Sequence, residues 1–488
     1  MDFSIYIGGD FLKGNRVITS IISAFAISLI IMMSKPESLS LRLEECWNTI
    51  WIASIIVIVL FTMIIYRERD LFSPFLMTSV LFFALFIYAP LTCIVTNDLT
   101  AVGNIDVFDG CIKATWIFVV SYISFCFGYV TLKRFTFGKK SYYHSGTTLV
   151  ECNNGDEDSF RKSKTAFIIW ITCLFVALIY DLSRGASLIY IFSYGILGRS
   201  GTTTSLNSSL AILGNFAYAL IICWLYLMCY SKNKLLIIII GIITGSIYFS
   251  RGFRFVMMIM ILAPVIYIYL KKNKRPKIIN TALAIVGLIV LAGLIEVSRG
   301  VIRAGTGGLN FGYTPIELIN RVFLSDFTIF KQFYAMVIHV PKDLGYKYGQ
   351  EMFWYTLIMA IPRGLWPGKP DFPYREVLTV SLSKQAVMAG QAWPIIGAFY
   401  FEFGIIGCVF FMFLMGYVFA RIADRLHFNE MTSAYMIGYS VFIPSIMQIV
   451  CRGCIPQQTY MLLFTYLPIL IMNKNLYPPF EMGAEAKP

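Results

Sequence analysis

Apolar runs long enough to cross a lipid bilayer recur along this chain. Several reach about 18 to 22 residues, and a helix of that length crosses about 30 Å of hydrocarbon. Hydrophobic residues make up 58% of the 488 residues and charged residues only 14%, whereas a soluble domain needs more polar surface. The sequence therefore predicts a polytopic integral membrane protein. The first run follows Lys13 and Arg16 without a small-residue cleavage site, so we expect a retained span and not a signal peptide.

The spacing of these runs predicts an all-α fold with about twelve transmembrane helices, because only helices or closed barrels cross a bilayer and no strand-rich region occurs. The expected spans are residues 17–34, 49–66, 73–95, 111–132, 165–182, 209–230, 235–250, 254–270, 278–295, 395–420, 432–450 and 457–472.

Basic residues in the connecting loops indicate the orientation. Lysine and arginine are concentrated in the turn with Arg67 and Arg69, in the loop from Lys133 to Lys164 and in the turn Lys271–Lys277. Such loops usually face the cytoplasm. The loop at residues 96–110 contains no lysine or arginine. Alternation of the spans then predicts that both termini are cytoplasmic.

The same alternation divides the chain into three parts. Residues 1–295 form an N-terminal bundle of spans one to nine, residues 296–394 form an outer, periplasmic loop, and residues 395–488 form a C-terminal bundle of spans ten to twelve. Loops as long as this outer segment (residues 296–394) are usually functional. Its apolar stretch Met352–Ile361 is too short to span the bilayer, so it predicts a re-entrant or interfacial helix.

Charge and cysteine usage exclude several function classes. The net charge of +13 fits basic cytoplasmic loops, so no nucleic-acid partner is expected. Most cysteines lie singly in apolar runs, where they act as small hydrophobic residues, and packing is favoured over redox chemistry for the isolated pair Cys451 and Cys454. No zinc-type ligand spacing and no phosphate-binding P-loop occurs, so neither a metal nor a cofactor is predicted.

Arginines at the predicted outer membrane border are unexpected, because basic residues favour the inner side. These features contain Arg251, Arg254, Arg299, Arg303, Arg363 with Lys369, Arg375 and Arg452. The planar guanidinium makes paired, charge-assisted hydrogen bonds to phosphate oxygens. The cluster therefore predicts a site for an anionic group such as a diphosphate. The alternatives are contacts with lipid headgroups and pairing with local acids such as Glu296 and Glu376.

Two residues are the main candidates for proton transfer. His339 is the only histidine on the predicted outer side, and a histidine or carboxylate can take a proton from a sugar hydroxyl. Glu402 lies about two turns into the tenth span, where a carboxylate needs a partner or a water-filled cavity. Plain solvation of His339 and a structural ion pair of Glu402 are the alternatives. Trp366 suits stacking on a sugar or an interfacial aromatic belt.

The stretch "IPRGLWPGKP" (Ile361–Pro370) resembles the P-R-x-x-W-P-x-K-P signature of the Wzy-type O-antigen polymerases, bacterial enzymes that polymerise oligosaccharide repeat units. The order of the neighbouring motifs supports the resemblance over residues 250–460. The arginine turn "SRGFR" lies upstream, "GAFYFEFG" (Gly397–Gly404) opens the tenth span, and Arg452 precedes the last one. The chain departs from the family at Ala398, where members often carry an acid; here the acid is Glu402.

This resemblance implies a glycosyltransferase of the bacterial inner membrane that acts at its outer face. The growing chain would leave its undecaprenyl diphosphate and join a sugar hydroxyl of the next lipid-linked repeat unit. The donor and acceptor would both be lipid-linked oligosaccharides, membrane lipid would surround the enzyme, and a separate co-polymerase would regulate chain length. The fold would resemble the membrane glycosyltransferases that use polyprenyl-linked donors.

Two other functions stay open at this point. A ligase that transfers finished O-antigen would share the chemistry and the large outer loop, and would differ in its acceptor. A transporter of lipid-linked oligosaccharide would place polar groups near the middle of the bilayer and often shows internal repeats. Here the charges collect on one face and no repeat is evident, which favours the polymerase.

Overall fold

The computed structural model describes residues 22, 25–68, 72–136, 156–183, 208–250, 254–272, 327–362, 364–370, 372–382, 392–424 and 432–472. Within these ranges the chain is helical and contains no β-strand; an isolated bridge joins Thr100 and Asp106. The described part therefore confirms the predicted all-α class.

The described architecture consists of thirteen labelled helices, a helical stretch at residues 25–33 and two 3-10 segments, Phe108–Gly110 before α3 and Ser208–Ala219 before α5. The labelled helices are α1 (Leu41–Glu68), α2 (Pro74–Val95), α3 (Cys111–Thr136), α4 (Asp156–Ser183), α5 (Leu220–Tyr230), α6 (Lys234–Ser250), α7 (Arg254–Lys271), α8 (Phe330–His339), α9 (Gln350–Tyr355 continued by Thr356–Met359), α10 (Pro373–Ser381), α11 (Ile395–Asp424), α12 (Ser433–Cys451) and α13 (Ile455–Met472).

Seven described stretches are long and apolar enough to cross a membrane, and all seven coincide with predicted spans. They are Leu41–Ile65, Pro74–Val95, Phe108–Leu132, Ser159–Tyr180, Ile212–Tyr230, Ile395–Asp424 and Ser433–Cys451. Lys234–Tyr248 and Met258–Lys271 are apolar but shorter, and the 18-residue helix α13 lies at the predicted twelfth span. The predicted span at 278–295 lies outside the described residues. These helices fit a multi-pass membrane protein, and the number twelve stays a prediction.

Helix α2 continues through a proline because its backbone widens before it. Pro90 has no N–H to donate, and its ring crowds the preceding turn of an α-helix. Residues Ala84–Tyr88 form a π-helical turn in which the N–H of Ala89 donates to the carbonyl of Ala84. This wider turn accommodates the proline, and the helix runs on to Val95.

A close helix crossing joins α3 to α11. A Cβ atom on Gly128 would lie 2.1 Å from the carbonyl oxygen of Phe413, and a Cβ on Gly416 would lie 2.1 Å from that of Phe125. The residue number rises along one helix as it falls along the other, so the helices are antiparallel. Small residues allow such close backbone approach between helices in a membrane. This pair fixes the start of α11 relative to the N-terminal bundle.

Candidate functional site

The described part of the outer segment contacts the loop of residues 96–110 through α8. The buried ammonium of Lys331, at the start of α8, lies 2.8 Å from the carboxylate of Asp98. At the other end of α8, the Nζ of Lys113 donates to the carbonyl oxygen of Val337 at 2.8 Å. A cation is favoured there because helix carbonyls carry partial negative charge. Lys331 and Lys113 therefore hold α8 at one end of the bundle, the end at which residues 96–110 lie.

The turn between α12 and α13 packs at the start of α11. The N–H of Gly453 donates to the carbonyl oxygen of Trp393 at 2.7 Å. A Cβ on Gly453 would lie 2.6 Å from the carbonyl oxygen of Pro394, so this approach requires glycine. Arg452, predicted to bind a diphosphate, is half-buried in this turn. The turn and the residues before α11 are therefore in direct contact.

Phe72 marks the opposite end of the bundle. The hydroxyl of Tyr439 donates to the carbonyl oxygen of Phe72 at 2.7 Å. The ring of Phe72 lies 6.1 Å from the ring of Tyr269, near the end of α7. A helix of 18 residues such as α7 rises about 27 Å. Its first residue, Arg254, therefore lies towards the end that carries residues 96–110. Residues 96–110, α8, the turn of Arg452 and the start of α7 therefore lie towards one end of the described bundle; which membrane face that end occupies stays a prediction.

The carboxylate of Glu402 caps the start of α9. Its Oε2 accepts the N–H of Gly349 at 2.5 Å, and its Oε1 accepts the N–H groups of Glu351 and Met352 at 2.9 Å each. The first N–H groups of a helix have no partner within it, and a carboxylate also complements their partial positive charge. Glu402 is fully buried by this arrangement. The predicted need for a polar partner is met by three backbone donors, and no arginine of the described residues takes part.

A break in α11 makes room for this contact. Gly404 has φ 65° and ψ −150°, a conformation that residues with a Cβ rarely adopt. The break releases the carbonyl oxygens of Phe401 and Glu402 from the α-helical ladder. They accept instead the N–H groups of Lys347 and Tyr348 at 3.1 and 2.9 Å. Residues 347–348 are therefore held against α11 just before α9 begins.

Glu351 is a buried carboxyl group without a partner. Its side chain is 3% exposed, and neither oxygen has a hydrogen-bond partner among the described residues. Burial and then repulsion from Glu402 raise the pKa of Glu351 well above its usual range. Burial therefore favours the protonated form of Glu351, whereas Glu402 accepts three backbone N–H groups.

A groove opens between α9 and α10. Its volume is about 580 Å³, within the range of about 300–1,000 Å³ that is typical of small-molecule sites. The lining residues are Lys347, Gln350, Trp354, Tyr355, Pro370, Phe372, Pro373, Arg375, Glu376, Thr379 and Val380. Lys347 and Glu376 form an ion pair of 2.6 Å, and the rings of Tyr355 and Phe372 lie 4.6 Å apart. The groove combines aromatic faces with charged groups.

The proline–tryptophan stretch forms part of the groove through Pro370. The ammonium of Lys369 is buried and donates to the carbonyl oxygens of Met359 and Ile361, at 3.1 and 3.0 Å. These carbonyls lie at the end of α9, where a cation is stabilising. The predicted contact of Lys369 with a ligand stays a prediction. Trp366 is half-exposed and donates its backbone N–H to Pro362.

His339 is the last residue of α8. Its Nδ1 lies 2.6 Å from a carboxylate oxygen of Asp343, and its side chain is 28% exposed. A carboxylate on one ring nitrogen fixes the tautomer and leaves the other nitrogen free to exchange a proton. This arrangement differs from the plainly solvated histidine of the alternative hypothesis. Three further predicted site residues, Arg251, Arg299 and Arg363, lie outside the described residues.

Sequence reasoning did not find Lys347 or Gln350 as lining residues, nor the cap formed by Glu402. Lys347 and Gln350 lie directly before the apolar stretch that predicted the interfacial helix. That position was the available signal, because residues that precede a helix surround its N-terminus. The cap joins residues about 50 positions apart, and no local pattern records it.

Comparison with known proteins gives a family match over nearly the whole chain. The family model described as O-antigen polysaccharide polymerase Wzy matches residues 16–477. No curated protein and no solved structure matches the chain. The match includes the N-terminal bundle, which the motif resemblance did not reach.

Proposed function

Because this chain belongs to the family of Wzy O-antigen polysaccharide polymerases, we propose that it joins undecaprenyl-diphosphate-linked repeat units at the outer face of the bacterial inner membrane. The donor is the growing lipid-linked chain and the acceptor is a lipid-linked repeat unit. A glycosidic bond forms to the acceptor hydroxyl, the anomeric bond to the lipid diphosphate breaks, and the hydroxyl proton passes to a base. The donor is already activated, so the reaction consumes no nucleotide.

The observation that best supports this proposal is the groove beside α9. Trp354, Tyr355 and Phe372 offer aromatic faces, on which sugar rings stack through their apolar sides. Helix α9 lines the groove and is held at both ends, by Glu402 at its start and by Lys369 at its end. Such preorganisation is needed where a bound sugar must be aligned for reaction. We assign the saccharide of a repeat unit to this groove.

The arginines are assigned to the diphosphate leaving group. Arg254 begins α7, and Arg452 lies in the turn that packs on Trp393. Arg251, Arg299 and Arg363 belong to the same proposed set. Guanidinium groups stabilise the charge that develops on the diphosphate as the anomeric bond breaks. Lys369 and Trp366 then act as positioning residues of the neighbouring loop.

The acid and base assignments follow from the contacts of each group. His339 is proposed as the general base, with Asp343 orienting its ring. Glu402 is assigned to position α9, because its oxygens are already occupied by three N–H donors. This replaces a direct proton-transfer role for Glu402 with a structural one at the same site.

The exposed apolar side chains of α9 support its placement at the membrane surface. Phe353, Trp354 and Leu357 are exposed, and Leu365 follows them in the adjoining loop. Exposed aromatic and aliphatic groups on a short helix are typical of the interface between lipid and water. We propose that α9 lies there with the periplasmic loop above it, that both termini are cytoplasmic, and that a co-polymerase regulates chain length.

Purified protein in nanodiscs tests the proposed function directly. It is mixed with a lipid-linked repeat unit, with and without lipid A core, in the absence of any nucleotide, and the products are separated by size. A ladder of polymers supports the polymerase. Transfer to lipid A core without a ladder would identify a ligase, and unchanged single units would overturn the proposal.

A further inference from the structure

One cation in the groove has no side-chain partner. Arg375 is exposed near the start of α10, and within the described chain its guanidinium makes no ion pair, hydrogen bond or ring contact. The other groove cation, Lys347, is paired with Glu376 at 2.6 Å and lies 5.8 Å from the ring of Phe401. Arg375 is therefore the group available to an anionic ligand.

The charge of the groove limits which anion fits. Lys347 and Glu376 neutralise each other, so Arg375 leaves the lining with a net positive charge of one. A diphosphate carries more than one negative charge, and sites for such groups supply several donors and cations. Glu376 would also repel a multiply charged ligand. A single carboxylate matches a single guanidinium in both charge and planar geometry.

The aromatic lining indicates what carries that carboxylate. Trp354, Tyr355 and Phe372 line the same groove as Arg375. Aromatic faces suit sugar rings, and an acidic sugar carries its carboxylate directly on a ring carbon. Resting on the proposed function, we propose that this groove selects a repeat unit containing an acidic sugar. Arg375 is the specificity-determining residue that binds its carboxylate.

Binding to the full-length protein in nanodiscs tests this inference. The probes are a disaccharide with glucuronic acid, the matched disaccharide with glucose, and inorganic pyrophosphate. Saturation-transfer NMR with titration gives each affinity. We expect the acidic disaccharide to bind roughly tenfold more tightly than the neutral one, because a hydrogen bond between a guanidinium and a carboxylate is charge-assisted and stronger than one between neutral groups. In Arg375→Gln the ratio falls to near one, and in Arg375→Lys it is intermediate.

Lys342→Gln is the matched control. Lys342 is an exposed cation of the outer segment that does not line the groove. Its loss changes the net charge equally, and it should leave the ratio intact. A ratio near one in the wild-type protein would overturn the inference, as would an equal drop in Lys342→Gln. Binding of pyrophosphate that Arg375→Gln abolishes would also overturn it, since the residue would then serve the diphosphate.

A polymerisation assay separates this inference from the proposed function. Wild-type protein receives a neutral and an acidic lipid-linked unit in turn. Equal ladders from both, with no preference in binding, would leave the polymerase standing and overturn the acidic-sugar inference. No ladder from either unit would overturn the proposed function itself. No binding of either disaccharide would exclude the groove as the saccharide site.

Discussion

Gly349 donates its backbone N–H to the carboxylate of Glu402 at 2.5 Å, across 53 residues of sequence. This contact and two more N–H donors tie the start of α9 to α11. The helix that lines the groove is therefore positioned by a carboxylate in the bundle, and the effect of removing that carboxylate should be measurable in α9.

Glu402→Ala should loosen α9. The three N–H groups lose a charged acceptor, which costs about 3 kcal/mol, so hydrogen exchange at these amides should accelerate by roughly 100-fold. Mass spectrometry of exchange across residues 349–359 measures this, and polymer ladders should weaken in parallel. Glu157→Gln is the control, because Glu157 is an exposed acid in α4 far from the groove in sequence. Unchanged exchange with lost activity would point instead to a direct chemical role of Glu402.

The raised pKa of Glu351 predicts a pH dependence of stability. The pKa of Glu351 is raised in the folded protein and is about 4.3 in an unfolded chain. Between these two values the folded state binds more protons, so stability falls as pH rises, by up to about 1.4 kcal/mol per pH unit. Glu351→Gln should flatten this fall and raise stability at neutral pH. Melting of nanodisc samples from pH 5 to 8 tests the slope, with the exposed Glu37→Gln as the control. An unaltered slope in Glu351→Gln would assign the dependence to other groups.

Gly128→Ala should separate α3 from α11. The added methyl would lie 2.1 Å from the carbonyl oxygen of Phe413, and a backbone atom cannot rotate away as a side chain can. We expect a loss of about 1–3 kcal/mol in stability. Gly345→Ala is the matched control, since nothing lies within 4 Å of a Cβ there. Thermal unfolding of both variants decides; equal melting temperatures would contradict the crossing.

Trp354→Ala should weaken use of the substrate through loss of a stacking face. Aromatic contacts add about 0.5–1.5 kcal/mol, so kcat/KM should fall roughly two- to tenfold. Phe353 is the matched control: it is 55% exposed, as Trp354 is, and does not line the groove. Polymerisation at several substrate concentrations measures the effect. A larger loss in Phe353→Ala than in Trp354→Ala would show that membrane contact matters more than stacking.

His339→Gln should lower kcat with little change in KM, because a general base acts on the reaction step; loss of such a base typically costs about 10²–10⁴-fold. Asp343→Asn should cause a smaller loss, since it removes only the group that orients the imidazole. Polymerisation at several substrate concentrations gives kcat and KM for both variants. An unchanged kcat in His339→Gln would assign the base to another residue.

The membrane architecture could be predicted from sequence because burial in lipid imposes a local rule on each span. Seven described spans fall where the apolar runs placed them, and the apolar stretch Met352–Ile361 is helical up to Met359. The partners of individual charges could not be predicted in this way. Lys369 lies in the proline–tryptophan stretch that carries the family resemblance, yet its ammonium contacts the carbonyls of Met359 and Ile361. The backbone N–H groups that bond Glu402 reach it only in the folded chain. Residue types alone therefore do not predict these contacts.

Gly404 divides α11 into two parts with different roles. Residues 405–424 are long enough as a helix to cover about 30 Å, the full thickness of the hydrocarbon layer. Residues Ile395–Phe403 are therefore not needed to cross the hydrocarbon layer. Two of their carbonyl oxygens instead accept the backbone N–H groups of Lys347 and Tyr348. The spacing between Glu402 and α9 is then set by hydrogen bonds within the protein.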